Sequence, residues 1–275
     1  MSGLAWGHLG INLAVSAAAV AAMMLATFAY AMRTNLHSIV DTVWGLGFAV
    51  IAGISFALSS GGGDTARRVI VMLATAAWGL RLGGYIFWRN HGRGEDPRYA
   101  GLLRHAGGRV APFVLKNVYW AQGRVMWVVS IPLQVAMYER APVGPVTWIG
   151  LAVFSTGFVT EAVGDLQLAR FKADPANHGL IMDRGVWSWT RHPNYFGDAC
   201  VWWGLWGMAC SQWAGLLCVF SPAIMTYMLV RRTGKALLEK TMRRSKGEAY
   251  EMYEARTSGF IPRPPKKTVS PSGSR

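Results

Sequence analysis

Several stretches of this chain are apolar over about the length that a hydrocarbon layer demands. A helix rises about 1.5 Å per residue, so roughly 20 apolar residues cross a core about 30 Å thick. Ile11–Met32, Ser38–Leu58, Val69–Trp88, Arg124–Tyr138, Val146–Gly164 and the long block Ala199–Val230 meet or approach that length. Within lipid every backbone N–H and C=O must be satisfied by the chain itself, which restricts such runs to helices when no alternating strand pattern is present. The last block is longer than one span, and Ser211-Gln212 near its middle marks a hairpin. The expectation is an all-α integral membrane bundle of about seven transmembrane helices. Composition agrees: 52% of residues are hydrophobic, 13 are Trp and 15% are charged, against about 25% charged in soluble domains.

Residues 1–32 hold no Lys or Arg and no small-residue cleavage site leading into a soluble domain, so the first run reads as a retained span. Cys200, Cys210 and Cys218 lie in the last apolar block without metal-ligand spacing, which makes them packing residues, and no metal site is expected.

The net charge of +14 is unevenly placed. With seven spans, one set of loops holds Arg33, seven Lys/Arg from Arg89 to Arg124, four from Arg170 to Arg191 and twelve from Arg231 onward. The other set holds Arg67, Arg68 and Arg140. The basic set belongs on the cytoplasmic side, so the N-terminus is expected outside, the C-terminus cytoplasmic, and the membrane is the inner one if the source is bacterial. The basicity is topological and implies no nucleic acid. Residues 1–265 form one transmembrane catalytic domain in this reading, 266–275 a disordered tail, and no obligate protein partner is implied. The cytoplasmic segments Arg89–Gly123, Arg170–Pro193 and Arg231–Pro265 are long, basic and rich in Asn, His and Tyr, the length at which loops carry function.

Charges inside the spans are costly and are usually paired or functional. Asp41 in "HSIVDTVWGLGF" and Arg81 in "WGLRLGGYIFWRN" stand early in span two and inside span three. Arg81 and Tyr85 share one helical face, as do Ser38, Asp41 and Trp44, and the two faces can enclose a polar pocket. The competing reading is an Asp41–Arg81 pair that only locks two helices. Glu161, Asp165 and Lys172 line one stripe at the end of span five, against the plainer reading of a solvated helix end. In "TRHPNYFGD", Pro193 suits a first helical turn, and Arg191, Asn194 and Asp198 follow one face. A helix start with free N–H groups beside Arg191 suits a phosphate. The alternative is an arginine on a lipid headgroup with His192 capping. No G-x-G-x-x-G after a strand and no Walker motif is present, so a nucleotide would be held by helix ends and basic loops.

"TRHPNYFGD", with "VDTVWGLGF", "WRNHGRGEDPRY" and the ending "LLEK…YEMYEARTSGFIP", resembles the steroid 5-alpha-reductase family, in particular its bacterial branch, from about Asn35 to Pro265. "RHPNY" with the same ending is also similar to the isoprenylcysteine carboxyl methyltransferases. The first resemblance implies a seven-helix enzyme of lipid metabolism, an oxidoreductase that takes NADPH from the cytoplasmic side and reduces a carbon–carbon double bond conjugated to a carbonyl, in a steroid-like or lipid substrate. By motif, Asn194 and Asp198 match the family's Asn-x-x-Gly-acid cofactor contacts. Asp165 with Lys172 matches an acidic contact and its later basic partner, Asn90 and Arg93 an Asn-Arg-Gly-Arg loop, and Arg231 or Arg232 a basic contact at the end of span seven. Arg191, His192 and Tyr195 complete the implied cofactor set. Asp41 resembles the substrate-site Glu of span two. Tyr85, the one Tyr of span three, stands for the carbonyl-polarising Tyr although it lies about a turn and a half later.

The chemistry fits that implication. Hydride delivery to the β-carbon of an enone builds negative charge on the carbonyl oxygen, which a buried hydrogen-bond donor must stabilise. Asp41 could be that donor, or could hold a Tyr or water that is. The alternative enzyme, an S-adenosylmethionine-dependent membrane methyltransferase, uses a cofactor without phosphates and leaves Asn90 and Arg93 less to do. A lipid-binding or scaffold protein leaves Asp41 and Arg81 without a purpose.

Overall fold

In a computed structural model, the structure describes residues 6–232 and 234–266. The expected tail lies outside the described residues from residue 267 onward. Apart from one isolated bridge between Thr190 and Ser258, all regular structure among the described residues is helical. Helices α1 (Trp6–Thr34), α2 (Ile39–Leu58) and α3 (Thr65–Asn90) are followed by short α4 (Pro97–Leu103). Next come α5 (Val110–Val114), a π-helical turn Leu115–Trp120, α6 (Ala121–Val129) and α7 (Ile131–Ala136). Long α8 (Pro145–Ala173) and α9 (Pro193–Met208) precede α10 (Trp213–Leu216), α11 (Phe220–Tyr227), a second π-helical turn Met228–Arg232, α12 (Lys235–Lys246) and α13 (Glu248–Arg256).

Among the described residues, five helical stretches are long and apolar enough to cross a membrane: Trp6–Thr34, Ile39–Leu58, Thr65–Asn90, Pro145–Ala173 and Trp213–Lys246. Large apolar side chains such as Ile11, Leu73, Leu80, Ile149 and Val159 point outward on them, as a lipid solvent requires. The two remaining apolar stretches are helical without forming one long helix each. Ser130 and Pro132 break the Arg124–Tyr138 stretch into α6 and α7, and α9 has 16 residues, about 24 Å of rise. The chain turns at residues 209–212, where the hairpin was expected.

The chain divides into two compact units, Met1–Gly150 with Leu205–Ser221 and Leu151–Gly204 with Pro222–Arg275. In the first, α2 and α3 meet backbone to backbone. A Cβ on Gly45 would lie 2.6 Å from the Gly79 carbonyl oxygen, and one on Gly79 would lie 2.4 Å from that of Gly45. Gly79 and Gly83 form a G-x-x-x-G stripe, the small-residue face that lets membrane helices approach closely. Polar side chains add to it. The Asn12 amide donates to Ser55 Oγ (3.1 Å) and Gln134 Oε1 (2.9 Å), and Ser16 Oγ donates to the same Gln134 oxygen (2.8 Å). At the start of α3, Asp64 caps the helix through the Arg67 N–H. The fully buried Arg67 side chain pairs with Glu139 at 2.9 Å and donates to the carbonyls of Met208, Ala141 and Pro142. In the second unit Gly157 and Gly197 repeat the close approach between α8 and α9, each Cβ falling 2.5 Å from the other's carbonyl oxygen.

Gly79→Ala should therefore lower the melting temperature in detergent, with an overpacking cost of about 1–3 kcal/mol. Gly84→Ala, whose Cβ would meet nothing within 4 Å, should melt like the parent. Equal melting of both variants would refute the glycine contact.

Candidate functional site

In the first unit the polar residues gather at the N-terminal end of α2. Glu95, in the loop after α3, accepts from the backbone N–H groups of His37 and Ser38 (3.0 Å for Ser38), which places a carboxylate on the otherwise unsatisfied donors of the helix start. Asp96 then caps α4, with Pro97 in its first turn. This folding back brings Arg98 and Tyr99 onto Asp41. Arg98 Nη2 donates to Asp41 Oδ2 at 2.7 Å, and Tyr99 Oη donates to Asp41 Oδ1 at 2.6 Å. Gln122 of α6 donates to Tyr99 Oη at 3.1 Å. The ion pair of Asp41 is thus made with Arg98, in α4 and 57 residues away, and not with Arg81. Tyr99 is 8% exposed, and burial together with the adjacent Asp41 carboxylate raises its phenol well above the usual range, so it stays an O–H donor.

A cavity of about 500 Å³ lies in the same unit, walled by α1 residues such as Val20 and Met24 and by Leu115, Tyr119, Trp120 and Gly123. The π-helical turn supplies Leu115, Tyr119 and Trp120. Gln122, which holds Tyr99, follows these lining residues on the same helical run. Tyr119 Oη is 3.0 Å from His37 Nδ1, and burial lowers the His37 pKa against the opposing pull of Glu95. Asn90 accepts from Arg89, and Arg93 is exposed on the loop. The Tyr85 ring lies beside Trp88 and beneath the Arg89 guanidinium.

In the second unit Asn194, one residue inside α9, donates to Asp165 of α8 at 3.3 Å. Asp198 accepts from the Trp202 indole at 3.0 Å. Lys172 and both Arg231 and Arg232 are exposed, the arginines in the second π-helical turn. His192 and Tyr195 stack with ring centroids 5.4 Å apart. His192 Nε2 lies 3.1 Å from Glu239, whereas its buried Nδ1 has no hydrogen-bond partner among the described residues. Burial lowers the His192 pKa, opposed by Glu239.

Arg191 departs from the expected phosphate ligand. Its Nε and Nη2 donate to Glu239 (3.0 and 2.8 Å), Nη2 also to Glu254 (3.0 Å), and Nη1 to the carbonyls of Glu254 and Thr257 (3.2 and 2.7 Å). All five guanidinium N–H groups are engaged within the chain, so in this conformation none is left for a phosphate. Arg191 is a buried staple that fastens α12 and α13 to the start of α9.

Four of these residues were not legible as site residues. Tyr99 and Arg98 stand in the quoted "WRNHGRGEDPRY" run, and Glu239 and Glu254 in the quoted ending. Their signal was the presence of buried opposite charges needing partners, but sequence separations of 47 to 63 residues hide which charge meets which.

The steroid 5-alpha-reductase DET2 of Arabidopsis thaliana is 38% identical over 69 residues, a quarter of this chain (25%) and 26% of that protein. An uncharacterized protein of Schizosaccharomyces pombe is 26% identical over 266 residues, covering 83% of this chain and 71% of its own length. No solved structure matches significantly. The family described as "Protein of unknown function (DUF1295)" matches residues 27–257. With most of its length inside that match and five apolar helices of spanning length, the chain is an integral membrane protein of the DUF1295 family, within the steroid 5-alpha-reductase-like superfamily.

Proposed function

We propose that the chain is a membrane-embedded, NADPH-dependent reductase of a carbon–carbon double bond conjugated to a carbonyl, acting on a steroid-like or lipid substrate. The proposal includes about seven spans with the N-terminus outside, counting α9 and the α6–α7 run as two short ones. It places the cofactor side in the cytoplasm. It treats residues 1–265 as one catalytic domain. The observation that carries it is the Asp41–Tyr99 contact of 2.6 Å, held by Gln122 in the unit that also contains an apolar cavity of about 500 Å³. Pockets of this size and lining suit a hydrophobic small molecule. The partial similarity to DET2 supports a reductase acting on such a molecule.

Asp41 acts through Tyr99 in this reading. Both Asp41 oxygens accept hydrogen bonds, so the donor is the phenol, and the expected pair Asp41 and Tyr85 gains Tyr99 as the O–H that can turn from the carboxylate to a carbonyl oxygen. As the β-carbon gains a hydride, the electron pair moves to that oxygen, where the phenol O–H offsets the charge. A proton from water then adds at the α-carbon, and the electron pair returns from the oxygen to restore the carbonyl. Arg98 keeps the Asp41 charge balanced throughout.

For the cofactor, the orphaned buried Nδ1 of His192 and the Asn194–Asp165 pair offer donors and acceptors to a polar ligand. Asp165, Lys172, His192, Asn194, Tyr195, Asp198, Arg231 and Arg232 are the residues proposed to hold NADPH, with Asn90 and Arg93 added by motif. When bound, the nicotinamide supplies the hydride. Arg191 supports this set by fixing the start of α9.

NADPH should raise the melting temperature, since a ligand at 100 times its dissociation constant adds about 2.7 kcal/mol. Asn194→Ala and Asp198→Ala should weaken that protection while the unliganded protein melts near the parent. Arg191→Ala should instead destabilise the unliganded protein, by about 3–5 kcal/mol, because it takes the buried arginine from Glu239. Protection by S-adenosylmethionine and none by NADPH would replace this reading with the methyltransferase.

Tyr99→Phe and Asp41→Asn should each lower single-turnover NADPH oxidation with a pool of membrane-lipid enones by about 10² or more, with NADPH protection retained. Undiminished turnover in stable Tyr99→Phe protein would remove the phenol from the mechanism.

A further inference from the structure

The second unit also holds a cavity of about 610 Å³ whose wall carries Arg231, Lys235, Lys240, Arg243 and Arg244 around a single carboxylate, Glu239. That carboxylate is already committed to Arg191, to His192 and, at 3.6 Å, to Lys235. Arg243 is drawn to Glu254 at 2.6 Å. Among the described residues, no ion pair is made by Arg231, Lys240 or Arg244. A solvated helix face is the plain alternative for such a run, but a solvated face spreads its charges outward, whereas these converge on one concavity. The local backbone produces the convergence. The π-helical turn Met228–Arg232 runs directly before α12, and Gly234 lets the two approach so closely that a Cβ there would fall 2.2 Å from the Leu229 carbonyl oxygen. Lys240 then lies three and four residues from Arg243 and Arg244, on one side of α12. Like charges this close repel, and an anion in the cavity relieves them.

We propose that this cavity is a binding site for a phosphate ester. A carboxylate offers two oxygens, too few for five cations, whereas a phosphate presents several, matched by both the arginine fork and the lysine point charge. The volume exceeds a bare phosphate and leaves room for the group that the ester carries. Two sources share this chemistry: the phosphates of a nucleotide and the headgroup of an anionic phospholipid, which meets basic clusters beside membrane helices. Arg231 is shared with the residues proposed to hold NADPH, so a nucleotide occupant rests on that reading, whereas a lipid headgroup does not; neither needs Tyr99 or a redox step.

The test uses the full chain in two arms, adenosine 2′,5′-bisphosphate by calorimetry in detergent and phosphatidic acid against phosphatidylcholine in nanodiscs. Saturable binding is expected in at least one arm, with salt-sensitive affinity. It should weaken tenfold or more in Lys240→Glu/Arg244→Glu and stay unchanged in Arg170→Glu, a charge reversal at an exposed residue of α8 outside the cavity. The neutral pair Lys240→Gln/Arg244→Gln should show a smaller loss in the same direction, with melting curves confirming the fold of each variant. Binding by the bisphosphate alone assigns a nucleotide phosphate, and binding by phosphatidic acid alone assigns a lipid headgroup. Absence of saturation in both arms, or equal losses in Arg170→Glu, overturns the proposal.

Discussion

Helices dissolved in hydrocarbon gain little by hiding apolar side chains from it, so their association depends on how closely their backbones approach and on the polar groups they bring together. Glycine sets that approach here. Gly45 with Gly79 fixes α2 on α3 in one unit, and Gly157 with Gly197 fixes α8 on α9 in the other. Each contact lies within reach of a proposed site. Asp41 is one turn from Gly45 on α2, and Asn194 is three residues from Gly197 on α9. A side chain at either glycine would push apart the helices whose ends carry the polar residues.

With the helices set, the charges are organised by a second rule, that a buried ion must meet its opposite and fill its hydrogen-bonding capacity. Arg67 meets its opposite in Glu139 at one end of α3, with its Nε left unbonded among the described residues, and Arg191 with Glu239 and Glu254 satisfies the rule where α9 begins. In both cases an arginine fork joins segments far apart in the chain, which short apolar helices cannot do by packing alone. This explains how Arg191 can occupy the same motif as Asn194 and Asp198 and differ from the role proposed for them. Its five donors are spent on the fold, while the stacked His192 keeps a buried nitrogen without a protein partner among the described residues.

The helical membrane character was legible because apolar length is a local property that neighbouring residues settle together. Among the described residues, five helical stretches pass that test. The Arg124–Tyr138 stretch read as one span because composition does not reveal a break at Ser130 and Pro132, and the two π-helical turns left no trace in the apolar pattern. The candidate sites were legible in part. Asp41, Asp165 and Asn194 stand out as polar residues in apolar surroundings, and the structure places Asn194 on Asp165. The partner of Asp41 was hidden, since Arg81 lay near in the pattern while Arg98 and Tyr99 were brought in by a loop whose course depends on Glu95 capping α2.

That cap has a chemical consequence. Glu95 neutralises the positive end of α2, so the helix start offers Asp41 little further stabilisation and leaves it to Arg98 and Tyr99. A carboxylate held by one cation and one phenol keeps the phenol protonated, and burial reinforces this by penalising the phenolate. The arrangement suits a reaction in which an O–H must meet charge that appears on a substrate oxygen only during the step. A phenol whose pKa is raised gives up its proton reluctantly in the resting protein. In the proposed reaction an oxyanion would compete with Asp41 for the same hydrogen, and Arg98 would then hold the carboxylate that the phenol leaves.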